Sequence, residues 1–247
     1  MILKSPPDIA KMRAANQIVA EVLAETGELV KPGVTTLELD RFAEESCLKR
    51  QARPAFKGYR GYPFSLCTSV NAQVVHGFPS ERVLEEGDII SLDFGALHRG
   101  FYGDAAVTLS VGEVSEEARL LMDTTREALY LGIEQCRPGG RLYDISAAVQ
   151  EHAEGRGFSV VRQFVGHGIG RSLHEKPQVP NYGPRGGGPR LQPGLVLAIE
   201  PMINAGGSDV KILEDGWTAV TTDGLLSAHF EHSVAITESG YEILSQL

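Results

Sequence analysis

Apolar residues recur at helical spacing from residue 8 to about residue 30 (Ile9, Met12, Ile18, Val19, Val22, Leu23), with Pro7 suited to a first turn and Lys31-Pro32-Gly33 as a stop. A second helix is predicted from Thr36 to about Arg50. The same grammar returns downstream. Ser115 opens a helix to about Cys136, Arg137-Pro138-Gly139 stops it, and a further helix runs to about Glu154. β-branched and alternating runs predict strands over 64–70, 88–96, 101–111, 158–164, 194–203, 218–222, 227–237 and 241–244. The stretch 184–190 (PRGGGPR) reads as a loop, since three glycines between prolines hold neither helix nor central strand. Helices and strands are segregated and hairpins dominate, which predicts an α+β fold on a mainly antiparallel sheet.

The strand-rich stretches also echo each other. His76-Gly77 precedes Leu84-Glu85-Glu86-Gly87, with Asp93 six residues after that glycine. His167-Gly168 precedes Leu191-Gln192-Pro193-Gly194, with Glu200 six residues after that glycine. Each half adds one more acid on a later strand, Asp104 and Glu231. A pattern of helix, Pro-Gly, helix, His-Gly, Leu-x-x-Gly-x5-acid, acid thus occurs twice. It predicts a pseudo-twofold repeat within one domain spanning 1–247, with halves of about 1–112 and 113–247 and equivalent acids face to face.

These acids stand in apolar company: Asp93 in IISLDFGAL, Glu200 in GLVLAIEPMI, Glu231 in LSAHFEHSVAI. A tight turn at His98-Arg99 would set Asp93 directly opposite Asp104 on one face of a hairpin. Two like charges ~4 Å apart repel by about 4 kcal/mol at an effective dielectric near 20, before any desolvation cost. No Lys or Arg lies in the motifs around Asp93, Glu200 and Glu231. Four carboxylates sum to −4, which two divalent cations balance, and His167 in GHGIG, read as a loop, adds an imidazole nitrogen. An O/N donor set without thiolate suits Mn, Fe, Co or Zn.

Composition narrows the partners. With 247 residues, 42% hydrophobic, the chain can close a core. Lys+Arg number 23 against 32 Asp+Glu, without a basic cluster, so direct nucleic-acid binding is not expected. No apolar run approaches the ~18 residues of a membrane span, and residues 1–13 do not read as a secretory signal. Cys47, Cys67 and Cys136 are odd in number and lack CxxC spacing, which argues against a disulfide framework or thiolate zinc site and for a reducing, cytoplasmic setting. A Cys67 nucleophile with His76 as base finds no acid orienter or elbow motif. A two-metal phosphoesterase satisfies the ligand chemistry but lacks an Arg/Lys cluster for phosphate.

NAQVVHG, SLDFG, GFYGDAA, GHGIGRSLHEKPQV, LAIEPM and HFEHS, in this order and spacing, resemble the type 1 methionine aminopeptidases over essentially the whole chain. The resemblance implies the pita-bread fold and a site with Asp93, Asp104, His167, Glu200 and Glu231 as ligands of two divalent ions. It implies that His76 and His174 contact substrate, and that Tyr59, Tyr62, Cys67 and Trp217 line the methionine side-chain pocket. Phe56 and Leu173 stand where Cys and Phe are frequent in that family, so pocket shape is expected to differ. The implied activity is metal-dependent removal of the initiator methionine from nascent chains and peptides with a small second residue. Glu200 would act as the base that takes and returns the water proton, His76 would donate beside the scissile bond, and His174 to the oxyanion. The expected partners are nascent N-termini, including at the ribosome, for a monomer that binds neither membrane nor nucleic acid directly. A proline-specific relative and a non-enzymatic binding protein on the same fold are the alternatives.

Overall fold

The computed structural model describes all 247 residues. Four helices form as the sequence predicts: α1 (Pro6–Gly27), α2 (Thr36–Lys49), α3 (Glu116–Ile133) and α4 (Leu142–Gly155). Local chemistry fixes their starts. The Ser5 and Thr35 hydroxyls accept from the backbone of Asp8 and Glu38, whose carboxylates reach back in reciprocal capping boxes, and Ser115 caps α3.

The strands before α3 are β1 (Arg53–Pro54), β2 (Leu66–Val70), β3 (Gln73–Val75), β4 (Ile89–His98) and β5 (Phe101–Ser110). After α4 come β6 (Ser159–Val160), β7 (Gly166–Gly168), β8 (Glu175–Val179), β9 (Val196–Ile199) and β10 (Met202–Asn204). The remainder are β11 (Val210–Ile212), β12 (Ala219–Thr221), β13 (Ser227–His229), β14 (Glu231–Thr237) and β15 (Gly240–Ile243). The main sheet has nine strands in the order β1-β4-β5-β14-β9-β7-β8, with β2 on β4 and β15 on β14, and every pairing is antiparallel. Its centre therefore reads β4-β5 against β14-β9, the same two-strand plan from each half of the chain.

Period-two alternation divides the two faces of this sheet. On the helix side, Leu92, Phe94 and Ala105 pack with Val19 and Leu39 of α1 and α2, and Leu197, Ile199, Val234 and Ile236 pack with Leu129 and Ile145 of α3 and α4. The intervening positions, which include Asp93 and Asp104, face the other way.

Five expectations need correction. The β4–β5 turn is Arg99-Gly100, both at positive φ (50° and 78°), so the hairpin pairs Asp93 with Ala106 and Gly95 with Asp104. A two-residue hairpin of this hand needs φ > 0 at both positions, and the lone glycine fixes the second. Asp93 and Asp104 consequently share a face as diagonal rather than direct neighbours. The strand predicted over 194–203 is two strands, β9 and β10, broken at Glu200-Pro201, and that over 227–237 breaks at Phe230. At the first break the chain leaves the main sheet and at the second it rejoins it, and β10 pairs β13 and β6 in a separate three-stranded sheet. The strand predicted over 158–164 shrinks to Ser159–Val160 at that sheet's edge. Finally, His167 is not in a loop. It sits on β7 between β8 and β9, where a Cβ at Gly166 would lie 2.4 Å from the Ala198 carbonyl oxygen and one at Gly168 2.5 Å from that of Lys176. Those glycines mark strands pressed too close for side chains.

Candidate metal and peptide site

Thirteen residues single themselves out in the sequence, and all thirteen line one cavity of about 150 Å³, joined there only by Arg60. At its floor are Asp93 and Asp104 from β4 and β5, Glu200 at the break after β9, and Glu231 opening β14. His167 adds its ring from β7. The Asp104 backbone lies where β5 and β14 diverge, since their register covers only Ala105 and Ala106. Side chains replace the missing ladder: Asn16 Oδ1 accepts from the Asp104 N–H at 3.2 Å, and Ser233 Oγ donates to the Asp104 carbonyl at 2.8 Å. Asn16 reaches this point because Gly103 lets α1 lie against β5, a Cβ there falling 2.8 Å from the Asn16 nitrogen.

The His167 imidazole has one assigned role for each nitrogen. Its Nδ1–H donates to the Gly168 carbonyl at 2.9 Å, leaving the Nε2 lone pair 3.5 Å from Glu200 Oε1 and 3.8 Å from Asp104 Oδ2. Burial, then His174, pushes its pKa down to about 3, so the ring is neutral. The carboxyls move the opposite way. Burial raises Asp93 to about 7, and burial together with neighbouring carboxylates raises Asp104, Glu200 and Glu231 well above the ordinary range.

Asp93 Oδ1, Asp104 Oδ1 and Glu231 Oε1 are buried without any hydrogen-bond partner. Leaving such atoms bare costs free energy unless something else binds them. Asp104, His167 and Glu231 bring ligand atoms within 4.8 Å of one another, as do Glu200, His229 and Glu231. No Lys or Arg reaches the floor, and the donors are hard oxygen and imidazole, so the residues present fit divalent cations. Asp93 lines the same cavity but stands outside both close clusters. His229 escapes the sequence reading. Its ring is buried, Nε2 has no partner, and it lies 4.0 Å from Glu200 Oε2. Its position in HFEHS, two residues before Glu231 and so on the same face of the strand predicted over 227–237, is the available signal.

Above the floor the walls divide. His76 follows β3 at φ +60°, a strained conformation for a non-glycine residue. The small β11-β12-β3 sheet holds it there, and its ring meets Phe164 and Trp217 edge-on at 5.4 and 6.0 Å. Burial, then His174, lowers its pKa to about 4. His174 faces it from the turn before β8, its ring 4.2 Å from that of His167 and its Nδ1 2.9 Å from the Tyr59 hydroxyl. Desolvation and the Arg60 charge lower its pKa as well.

Tyr62 packs edge-on against Phe64, Phe78 and Trp217, with its hydroxyl donating to the Leu66 and Gly77 carbonyls, so it presents ring rather than hydroxyl. Phe56 lies over Gly95, where a Cβ would fall 2.7 Å from its ring, and Leu173 is buried beside it in the same apolar cluster. Cys67 pairs with Asp93 across β2 and β4, and burial with that carboxylate raises its thiol far above the usual value. A thiol so held is no nucleophile. Arg60, over the Tyr59 ring at 5.3 Å and at φ +49°, is the one rim residue that the sequence reading passed over.

The model for Metallopeptidase family M24 matches residues 10–238. Methionine aminopeptidase 1 of Bacillus subtilis (strain 168) is 51% identical over 247 residues, the whole of both chains. The methionine aminopeptidase of Clostridium perfringens (strain 13 / Type A) is 54% identical over 245 residues, 99% of this chain and 98% of that one. The crystal structure of methionine aminopeptidase from Thermotoga maritima superposes with a TM-score of 0.99 at 49% identity, covering 100% of both chains. The curled antiparallel sheet with its four helices is the pita-bread fold. With the family model spanning nearly the full length, and relatives about half identical from end to end, this chain belongs to metallopeptidase family M24.

Proposed function

We propose that this chain is a methionine aminopeptidase that removes an N-terminal methionine preceding a small second residue, using two divalent ions held by Asp93, Asp104, His167, Glu200 and Glu231. The observation that carries the reading is the single cavity whose floor is four partnerless or crowded carboxylates and whose wall is soft and aromatic. When bound, divalent cations supply Lewis acidity, lowering the pKa of water and polarising the peptide carbonyl. Glu200, with a carboxyl lifted by burial, can take a proton and return it to the leaving amine. His76 and His174 are neutral near pH 7 and can donate, His76 beside the scissile bond and His174 to the developing oxyanion. Tyr62, Cys67 and Trp217, with Phe56 and Leu173, offer polarisable surface to a thioether.

We take residues 1–247 as one catalytic domain with halves of about 1–112 and 113–247, a division supported by the mirrored strand order β4-β5-β14-β9. Action on nascent N-termini in the cytoplasm, at the ribosome and as a monomer, belongs to the same proposal, and three buried free cysteines support its reducing compartment. The test is cleavage of Met-Ala-Ser by purified protein supplied with Mn or Co, against Xaa-Pro peptides. Asp104→Ala should abolish turnover. Undiminished turnover in that variant, or preference for Xaa-Pro, overturns the proposal.

A further inference from the structure

The turn that delivers His174 is held from outside the site. It spans residues 169–174 between β7 and β8, and β8 is the edge strand of the sheet. Arg171, Ser172 and His174 are exposed, and besides the buried Ile169 and Leu173 the turn is tethered by Arg171, which lies over the Phe101 ring at 4.4 Å and 3.4 Å from Asp8, and by the Tyr102 N–H donating to the Gly170 carbonyl at 2.9 Å. Glu175, the residue after His174, folds its carboxylate back into the turn. Its Oε1 accepts from the backbone N–H groups of Arg171 and Ser172 at 3.0 and 3.3 Å. Its Oε2 meets Lys4 Nζ at 2.6 Å in an ion pair whose side chains are only 4% and 5% exposed. Gly170 is the floor of this pair, since a Cβ there would lie 2.5 Å from Lys4 Cε and 2.7 Å from Glu175 Oε1.

Lys4 is itself fixed. Its backbone N–H donates to the Gly194 carbonyl at 2.7 Å, its ammonium also donates to the Ile2 carbonyl, and the next residue caps α1. A charge pair taken out of water does little for net stability, because desolvation offsets attraction. What it does supply is a defined direction: an ammonium, two amides and a carboxylate agree on one position for the chain at residue 175. From there His174 reaches His167 and the Tyr59 hydroxyl.

We propose that Lys4 and Glu175 are positioning residues for His174: the segment before α1 clasps the β7–β8 turn and sets where the His174 ring stands over the cavity. This rests on the reading of His174 as a substrate contact, so the experiment has two arms. In the first, Lys4→Met, which keeps the stem and deletes the charge, is assayed on Met-Ala-Ser alone and combined with His174→Ala. The expected result is a fall in kcat of about tenfold with KM nearly unchanged, as for a displaced catalytic contact, and a further fall of less than about twofold once His174 is gone. The second arm needs no activity. Hydrogen exchange at the Arg171 and Ser172 amides should accelerate in Lys4→Met while exchange in α3 and α4 does not. If Lys4→Met fails to fold, Glu175→Gln, whose amide oxygen can still accept from both N–H groups, runs the same cycle. Equal losses of kcat with and without His174, or unchanged exchange in the turn, overturn the clasp. Wild-type protein that leaves Met-Ala-Ser intact while the exchange arm succeeds refutes the aminopeptidase reading alone.

Discussion

Asp104 is the carboxylate whose backbone the sheet itself leaves unheld, which makes Asn16 the sharpest place to perturb the site without touching it. Asn16 is fully buried, and its Oδ1 accepts from the Asp104 N–H. In Asn16→Ala that buried N–H loses its acceptor, at a cost of about 1–3 kcal/mol. Alanine's better helix propensity returns roughly 0.5 kcal/mol within α1. A net loss of about 0.5–2.5 kcal/mol remains, which for a chain of this size is a fall in Tm of roughly 1–10 °C. Scanning calorimetry of the metal-free protein measures it. Because Asp104 moves with its backbone, divalent affinity should also weaken about 10–100-fold, the usual effect of removing a partner behind a ligand. Ser233→Ala, which strips the donor from the Asp104 carbonyl, should cost about 1 kcal/mol. The double variant should lose less than the sum, since both act on one residue. A Tm within about 1 °C of wild type together with unchanged metal affinity would refute the claim that side chains substitute for the missing ladder at this seam.

Three further outcomes follow from buried groups. Burial raises the Asp40 carboxyl despite the Ser65 and Leu66 amides donating to it at 2.9 Å, with Glu44 adding to the rise. A folded pKa above the unfolded one means that Asp40 favours the fold at low pH and that this is lost as pH rises through the folded value. Asp40→Asn, which keeps an acceptor oxygen, should therefore melt higher than wild type at pH 8 and show no advantage at pH 4. Cys47 is pushed up to about 12 and Cys136 is raised further by its burial, so iodoacetamide at pH 8 should alkylate neither until denaturant is added, as mass spectrometry would show. Divalent metal at about a hundred times its Kd should stabilise the protein by about 2.7 kcal/mol. That is roughly 5–11 °C in Tm, reversed by EDTA together with the loss of peptidase activity, and a Tm indifferent to both additions would count against a built metal site.

What the sequence discloses follows how local each cause is. The helix starts were legible because Ser5, Thr35 and Ser115 act on amides three residues away. The two acids flanked by strand breaks, Glu200 and Glu231, do line the cavity, but the sequence pattern misplaces them within unbroken strands. A Pro after Glu200 removes an N–H, yet the corner forms because β10 turns to pair β13, a contact between positions 202 and 229 that no local pattern records. The glycines of GHGIG look like a turn in one dimension and are a three-strand close approach in the folded chain. Strand β8 escaped notice because EKPQV is polar and exposed at every second position, as befits an edge. The hairpin register hung on a single residue, since moving the turn from His98-Arg99 to Arg99-Gly100 shifts every partner by two.

That shift bears on why the acids tolerate each other. Directly opposed residues on a hairpin stand about 5 Å apart, whereas diagonal ones stand about 7–8 Å apart. The observed register thus separates Asp93 from Asp104 and pairs Asp104 with Gly95, a position kept free of any side chain so that Phe56 can lie across it. On the other half, Glu200 and Glu231 come from strands that split at the site, so their backbones diverge where their carboxyls converge. Repulsion persists within that second pair, where Glu200 is the leading charge raising Glu231, and between halves, where Glu231 raises Asp104 across the β5–β14 seam that Ser233 bridges. A cation held between the halves would act on that same seam. Metal binding and closure of the sheet's centre should therefore be one linked equilibrium, with weakening of either weakening the other.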